Sequence, residues 1–266
     1  MNIIAVVQAR TGSIRFPGKI LKPACGKTLF ELQIERMQKA ETLSDIIIAT
    51  TLNSKDDKIV DICLTNGYRF HRGSEQDLLD RHYQAVKNEN VDAIVKIPSD
   101  CPLIDPEIID KVVNVYINYH QKFDYVSNLH PPTYPDGNDV EVISLSALET
   151  AWNSAEMDFQ REHTTPYIWD NPDLFKIGNV TWETGLNYSE SHRFTLDFAE
   201  DYLFIKSVFE EIYPVNPSFN ISDILNLLAQ KPRIKKINEI YNGQFWYKSN
   251  QYKFNTMDEM LNNVIL

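Results

Sequence analysis

Between residues 3 and 127, short apolar runs alternate with stretches whose apolar residues recur at helical spacing. No other feature constrains the fold as much. Ile3 to Val7 is an unbroken run of branched and small side chains, the pattern of a strand buried on both faces. Residues 29 to 40 carry apolar groups at 29, 30, 32, 34 and 37, which suits a helix lying on a sheet. The rhythm then predicts a strand over 45–51, a helix over 54–66 ended by Asn66-Gly67, and a short strand over 68–71. It continues with a helix over 75–88, a strand over 92–97, a helix over 106–119 and a strand over 124–127. Strands separated by helices of this length are βαβ units, so the class is α/β with a parallel sheet. Such sheets receive ligands beyond the carboxyl ends of their strands.

After residue 130 the rhythm breaks. Pro131, Pro132, Pro135 and Gly137 mark an irregular segment before a strand at 139–143, and further strands are predicted near 175–180 and over 193–196. Helices over 199–212 and 220–230 close the pattern. With no repeat, low-complexity run or linker, the reading is one domain over 1–230 with an arm or lid at about 125–185. Residues 231–266 form a C-terminal extension without an assigned role.

Composition removes several classes. A net charge of −11 disfavours a nucleic-acid partner, which calls for a broad cationic footprint. No run approaches the length of a membrane helix and no export signal precedes Ile3, so the expected setting is cytoplasmic, away from membranes. Cys25, Cys63 and Cys101 are odd in number and far apart, which fits a reducing compartment and no disulfide framework.

The charge is unevenly placed. The first thirty residues contain no Asp or Glu, yet hold Arg10, Arg15, Lys19, Lys22 and Lys27. Most of these cations fall in "QARTGSIRFPGK", residues 8–19, directly after the first strand. The stretch is not a P-loop: five residues separate Gly12 from Gly18, and Ile20 follows the lysine where Ser or Thr is required. G-x-G-x-x-G is absent as well. The physical content of a polyphosphate site is still present. Gly12 and Gly18 let backbone N–H groups approach a ligand, Ser13 offers a hydroxyl, and Arg15 and Lys19 supply a planar fork and a point charge.

"VVQARTGSIRFPGKIL" and "GKTLFE" resemble the phosphate-binding signature of the cytidylyltransferases that activate acidic sugars, the CMP-octulosonate and CMP-neuraminate synthetases. The likeness is nearest to their spore coat polysaccharide (SpsF) branch. It recurs in order through "ATTLNSKDD", "HRGSEQDLLDRHYQA", "SDCPLIDPEIID", "DYVSN", "YPDGNDVEV", "REHTTPYI" and "RFTLDFAED", and covers about residues 2 to 215. The resemblance implies a three-layer αβα nucleotide-diphospho-sugar transferase fold of GT-A or Rossmann-like type. It also implies transfer of CMP from CTP to a nonulosonate or octulosonate with release of pyrophosphate, in surface polysaccharide or glycan synthesis, and a homodimer.

Site roles follow from the same resemblance. Asp100 and Asp197, each following a predicted strand, become the Mg2+ pair, with Asp100, Lys19 and Arg15 serving the reaction itself. Arg10, Ser13, Arg15 and Lys19 would hold the triphosphate, and Thr51, Arg72 and Ser74 would line the nucleotide pocket. Asn128, Tyr134, Asp139, Glu141, Arg161 and His163 would meet the acceptor, with Arg161 suited to a carboxylate. Rival readings are a GT-A glycosyltransferase, or a nucleotidyltransferase with another nucleotide or a non-sugar acceptor. No two aspartates are separated by a single residue, so the D-x-D motif of the glycosyltransferases is missing.

Overall fold

The computed structural model describes residues 1–244. The first strand, β1 (Ile3–Gln8), is followed by the basic loop and a small hairpin, β2 (Pro23–Ala24) and β3 (Lys27–Thr28). Helix α1 (Leu29–Met37) starts on a capping box: the Thr28 side chain accepts from the Glu31 N–H, and Glu31 reaches back to the Thr28 N–H. Next come β4 (Asp45–Thr51), α2 (Asp57–Asn66), β5 (Arg69–Gly73), α3 (Leu78–Val86), β6 (Ala93–Pro98) and α4 (Pro106–Tyr119). Gly67 stops α2 with a left-handed φ of 71°, as Asn66-Gly67 predicted.

The second half adds β7 (Tyr125–Ser127), β8 (Glu141–Ser144), α5 (Leu145–Ser154), α6 (Asp158–His163), α7 (Pro166–Trp169) and β9 (Ile177–Asn179). Helices α8 (Ala199–Ile212), α9 (Ile221–Gln230) and α10 (Pro232–Lys235) follow. One seven-stranded sheet runs β5-β4-β1-β6-β8-β7-β9. Only β8 opposes its neighbours β6 and β7; the other pairings are parallel. Alternation along β1 feeds two cores. Ile3, Ala5 and Val7 face the layer that holds α1, α4 and α8, while Ile4 and Val6 face Leu79 of α3 and Leu148 of α5. The fold is therefore three-layered αβα, and no described helix is long and apolar enough to cross a membrane.

Two expectations change. The 125–185 region supplies β7, β8 and β9 to the main sheet, so it is continuous with the domain rather than a detached arm. Only its 128–140 loop lies over the strand ends, pinned by Asn128, whose Nδ2 donates to the Asn138 carbonyl (2.7 Å) and whose Oδ1 accepts from the Val140 N–H (3.0 Å). Residues 193–196 do not form a strand; a single bridge joins Asp136 to Arg193. The close approach there demands glycine. Gly137 has φ +98°, and a Cβ on it would come within 2.6 Å of the Phe194 and Thr195 backbone. Finally, the described part of the C-terminal extension packs onto the domain through buried Ile234, whereas residues 245–266 lie outside the described residues.

Candidate active site

A cleft of about 650 Å³ opens at the carboxyl ends of β1 and β6, roofed by the 128–140 loop. From the basic loop it receives Arg10, Ser13, Arg15 and Lys19, and from beyond β6 it receives Asp100. Gly18 takes φ +68° and closes the loop by donating its N–H to the Thr11 carbonyl (3.0 Å). That turn sends Lys19 inward. Its Nζ lies 2.8 Å from Asp100 Oδ2 and 3.0 Å from Asp197 Oδ1. Arg15 Nη2 meets the same Asp197 oxygen at 2.7 Å, and its guanidinium stacks over the Phe198 ring. Burial alone would depress the Lys19 ammonium, but the charges of Asp100 and Asp197 outweigh it and hold the group above the ordinary lysine value. Asp197 is the counterpart: burial pushes its carboxyl up, and Lys19 and Arg15 pull it below the usual range.

Asp197 is fixed from behind by residues the sequence reading did not single out. Arg193 Nη2 is 3.1 Å from Asp197 Oδ2, its Nη1 is 3.0 Å from Asp136, and its Nε is 3.0 Å from Asp201. Asp201 in turn accepts from the Asp197 and Phe198 N–H groups at 2.9 and 3.0 Å. The extension joins this network: Asn238 Nδ2 donates to Asp201 Oδ1 and to the Arg193 carbonyl, both at 2.9 Å, and Tyr241 stacks on Phe198. Asp201 at the third position of α8 was the readable sign, since an acid there commonly turns back onto the helix start.

Toward the other end of the cleft lie Asn128, Tyr134, Asp139, Glu141 and His163. Glu141 is ion-paired to Lys96, and its other oxygen accepts from the Tyr125 hydroxyl at 2.7 Å. Burial raises the Glu141 carboxyl, but Lys96 more than offsets it. Lys96 was legible as the one charged residue in the apolar run AIVKIP. Burial, then the charges of Asp100 and Glu141, push Asp139 up to about 7. Burial, then Lys96, bring His163 down to about 4. Asn128 spends both polar atoms on its own loop, and the Tyr134 hydroxyl turns to Glu183 at 3.4 Å.

Four expected site residues stand elsewhere. The buried Thr51 hydroxyl donates to Asp56, whose other oxygen accepts from the Thr11 N–H and hydroxyl, both at 2.7 Å. Arg72 donates to the Thr51 and Asn53 carbonyls and pairs with Asp57. Ser74 accepts from the Asp77 N–H ahead of α3. Thr51 thus braces the basic loop from behind through Asp56, and all three residues lie outside the cleft lining. Arg161 is also outside it, held by Asp77 at 2.5 Å and by the Trp152 and Ala155 carbonyls at 3.0 Å.

Magnesium can be tested against this donor set. Asp100 and Asp197 converge on one cation, the Lys19 ammonium, so the pair is arranged to gather positive charge. Among the described residues no group of three or more His, Cys, Asp or Glu forms a metal cage. Two carboxylates without a cage fit an ion that takes its remaining oxygens from phosphate and water.

Comparison with known proteins decides the family. A family model described as cytidylyltransferase matches residues 4–248. The chain belongs to the cytidylyltransferase family. An uncharacterized protein of Methanocaldococcus jannaschii is 40% identical to this cytidylyltransferase over 241 residues, which is 90% of this chain and 95% of that one. The spore coat polysaccharide biosynthesis protein SpsF of Bacillus subtilis is 28% identical over 236 residues, covering 87% and 95%. A solved cytidylyltransferase of Leptospira borgpetersenii superposes with a TM-score of 0.83 at 31% identity, covering 89% of this chain and 97% of that one.

Proposed function

We propose that this cytidylyltransferase transfers CMP from CTP to an acidic sugar of the nonulosonate or octulosonate type, releasing pyrophosphate, as a step in surface polysaccharide synthesis. The observation that carries the reading is the bridge from Lys19 to Asp100 and Asp197, set beside Arg15 at the end of β1. It puts two loop cations and two converging carboxylates at one mouth of the cleft, the set needed to neutralise a triphosphate and a metal together.

In this reading Arg15 and Lys19 hold the β and γ phosphates, and Asp100 and Asp197 hold magnesium. When bound, the metal supplies charge neutralisation at the phosphate oxygens. The acceptor lies toward Asp139, Glu141 and His163, oriented for in-line attack of its hydroxyl on the α-phosphorus. Asp139, with its carboxyl raised to about 7, is suited to take the proton of that hydroxyl near neutral pH. Asn128 and Tyr134 shape the wall and leave recognition to others. Similarity to the SpsF protein supports the polysaccharide setting.

The test is pyrophosphate release, with the full chain and magnesium, across four nucleoside triphosphates and a panel of acidic and neutral sugars. Turnover should require CTP and a 2-keto-3-deoxy acid. Release with a neutral sugar, or with UTP in preference to CTP, would overturn the reading. The protein is further proposed to be a cytoplasmic homodimer. Light scattering that returns a 30.8 kDa particle at micromolar concentration would refute the dimer.

A further inference from the structure

Three arginines are buried to 2% exposure or less, and two of them have evident structural partners. Arg193 faces three carboxylates. Arg36 donates to the Ile104 and Phe219 carbonyls at 2.8 and 3.0 Å and lies 4.0 Å from the Phe219 ring centroid. The third, Arg81 of α3, lines the cleft. Its Nη1 donates to the Ser74 carbonyl at 3.0 Å, and its buried Nε has no hydrogen-bond partner among the described residues. The fold makes room for this side chain: a Cβ on Gly73 would come within 3.2 Å of Arg81 Cγ.

A second guanidinium faces the same space. Arg10 also lines the cleft, and its charge acts on both Arg81 and His163. Among the described residues, no Asp or Glu comes within ion-pair distance of Arg10 or Arg81. Burial first and Arg10 second hold the Arg81 guanidinium down to about 10, against the weaker pull of Asp56 and Glu75. A buried charge without a counter-charge is costly, and the single bond to the Ser74 carbonyl does not neutralise it. A neutral ring edge would satisfy the Nε hydrogen but not the two like charges. An anion answers both.

We propose that Arg81 and Arg10 form an oxyanion subsite on the α3 wall of the cleft, separate from the group of Lys19 and Arg15. Lys19 and Arg15 are engaged with Asp100 and Asp197, whereas among the described residues neither Arg10 nor Arg81 is paired with a carboxylate and the Arg81 Nε hydrogen has no acceptor. The oxyanion is a phosphate of the nucleotide or the carboxylate of an acid acceptor, both of which match the guanidinium fork. Arg161, committed to Asp77, cannot take that carboxylate. These two sources rest on the proposed reaction; the subsite itself does not.

The subsite is tested first with inorganic phosphate alone, on the full chain and on Arg81→Gln and Arg81→Lys. Without anion, Arg81→Gln should melt no lower than the wild type, because it removes an unpaired buried charge. Phosphate should raise the wild-type melting temperature in a saturable way and the Arg81→Gln value much less, with Arg81→Lys between them. Calorimetric titration of cytidine, CMP and 3-deoxy-manno-octulosonate then identifies the source. A loss of about tenfold or more in Arg81→Gln for CMP, with cytidine unchanged, upholds the subsite and places phosphate in it. The same loss for the sugar acid, with CMP unchanged, upholds it and places the carboxylate there. Equal losses for cytidine and CMP, or a phosphate response identical in all three proteins, overturn the proposal. So does an Arg81→Gln protein that melts far below the wild type, since Arg81 is then a structural group. If the full chain proved inactive with every triphosphate while phosphate still protected only the wild type, the proposed reaction would fail and the subsite would stand.

Discussion

Lys19 Nζ stands 2.8 Å from Asp100 Oδ2, across 81 residues of sequence. This contact joins the loop after β1 to the turn after β6, the strand that pairs beside it. The relationship makes Asp100 the most exposed test of the site. Asp100→Asn keeps the size and hydrogen-bonding capacity of the side chain but removes one of two converging charges. Turnover should fall by about 10²- to 10³-fold, the usual loss for one charge contact made at the transition state. The circular dichroism spectrum should be unchanged. Near wild-type turnover in saturating magnesium would take Asp100 out of the reaction.

Arg193 carries a prediction about stability. Its side chain is 1% exposed and holds Asp136, Asp197 and Asp201 together. Burial lowers its guanidinium, yet the bond to Asp201 and the charge of Asp136 leave it above the ordinary arginine value. Arg193→Met matches the volume but strands buried carboxylates, Asp201 being fully enclosed. Unfolding free energy from urea titration at pH 7 should drop by about 3–5 kcal/mol. A drop below the size of an ordinary surface change would mean that the network is dispensable.

The two halves of the chain differ in how much their sequence discloses. Between Ile3 and Ser127, β1, β6 and β7 are buried on both faces, β4 is buried over its last five residues and the α-helices carry apolar stripes. Periodicity therefore places most elements, and α8 at 199–212 reads equally well. The half-exposed β5 gives a weaker signal, and the two-residue β2 and β3 give none. Residues 193–196 look like a strand because Arg-Phe-Thr-Leu alternates, but the 128–140 loop crosses them with only the Asp136–Arg193 bridge, and no ladder forms. In the site, Arg15 and Lys19 were legible because a basic loop without acids is unusual in so acidic a chain, whereas Asp100 and Asp197 were reached through the family resemblance. Thr51, Arg72 and Ser74 sit at the correct strand ends, yet their side chains turn to Asp56, Asp57 and Asp77. Arg161 finds Asp77 from 84 residues away, and Arg81 faces the cleft because α3 packs that way. Such long-range pairings leave no mark in local pattern.

His82 gives a pH dependence whose sign can be worked out. It is fully buried, donates from Nδ1 to the Leu78 carbonyl at 2.8 Å, and has no partner at Nε2 among the described residues. Burial brings its imidazole down to about 3, from the ordinary 6.5. Between those values the unfolded chain takes up a proton and the folded chain does not, so His82 costs stability as the pH falls. The slope is about 1.4 kcal/mol per pH unit. Asp139, raised to about 7, acts in the opposite direction over the same interval, so the comparison must be between proteins and not between pH values alone. In His82→Leu the stability difference from wild type should shift in favour of the variant by about 1.5 kcal/mol between pH 6.5 and pH 5. Urea titrations at the two pH values check this; a constant difference would show that His82 titrates in the folded protein as it does in the open chain.

Lys19 separates a triphosphate site from a chance cluster of loop cations. In Lys19→Ala the β and γ phosphates lose a charge-assisted contact, and CTP binding should weaken by about 1.5–3 kcal/mol. CMP carries only the α-phosphate, so its affinity should fall much less. Arg15→Lys should also impair CTP binding, because a point charge cannot reproduce the two-pronged contact or the stacking on Phe198. Lys19 is 9% exposed and lies between two aspartates, so its removal leaves Asp100 and Asp197 without the cation they share. That makes it unlike an exposed loop cation, whose loss hardly touches folding. Some loss of thermal stability is therefore expected, and calorimetric titrations belong well below the variant's melting temperature. Magnesium should restore part of that stability in Lys19→Ala, since it can neutralise the same two carboxylates. Equal weakening for CTP and CMP, or none for either, would place the triphosphate somewhere other than this loop.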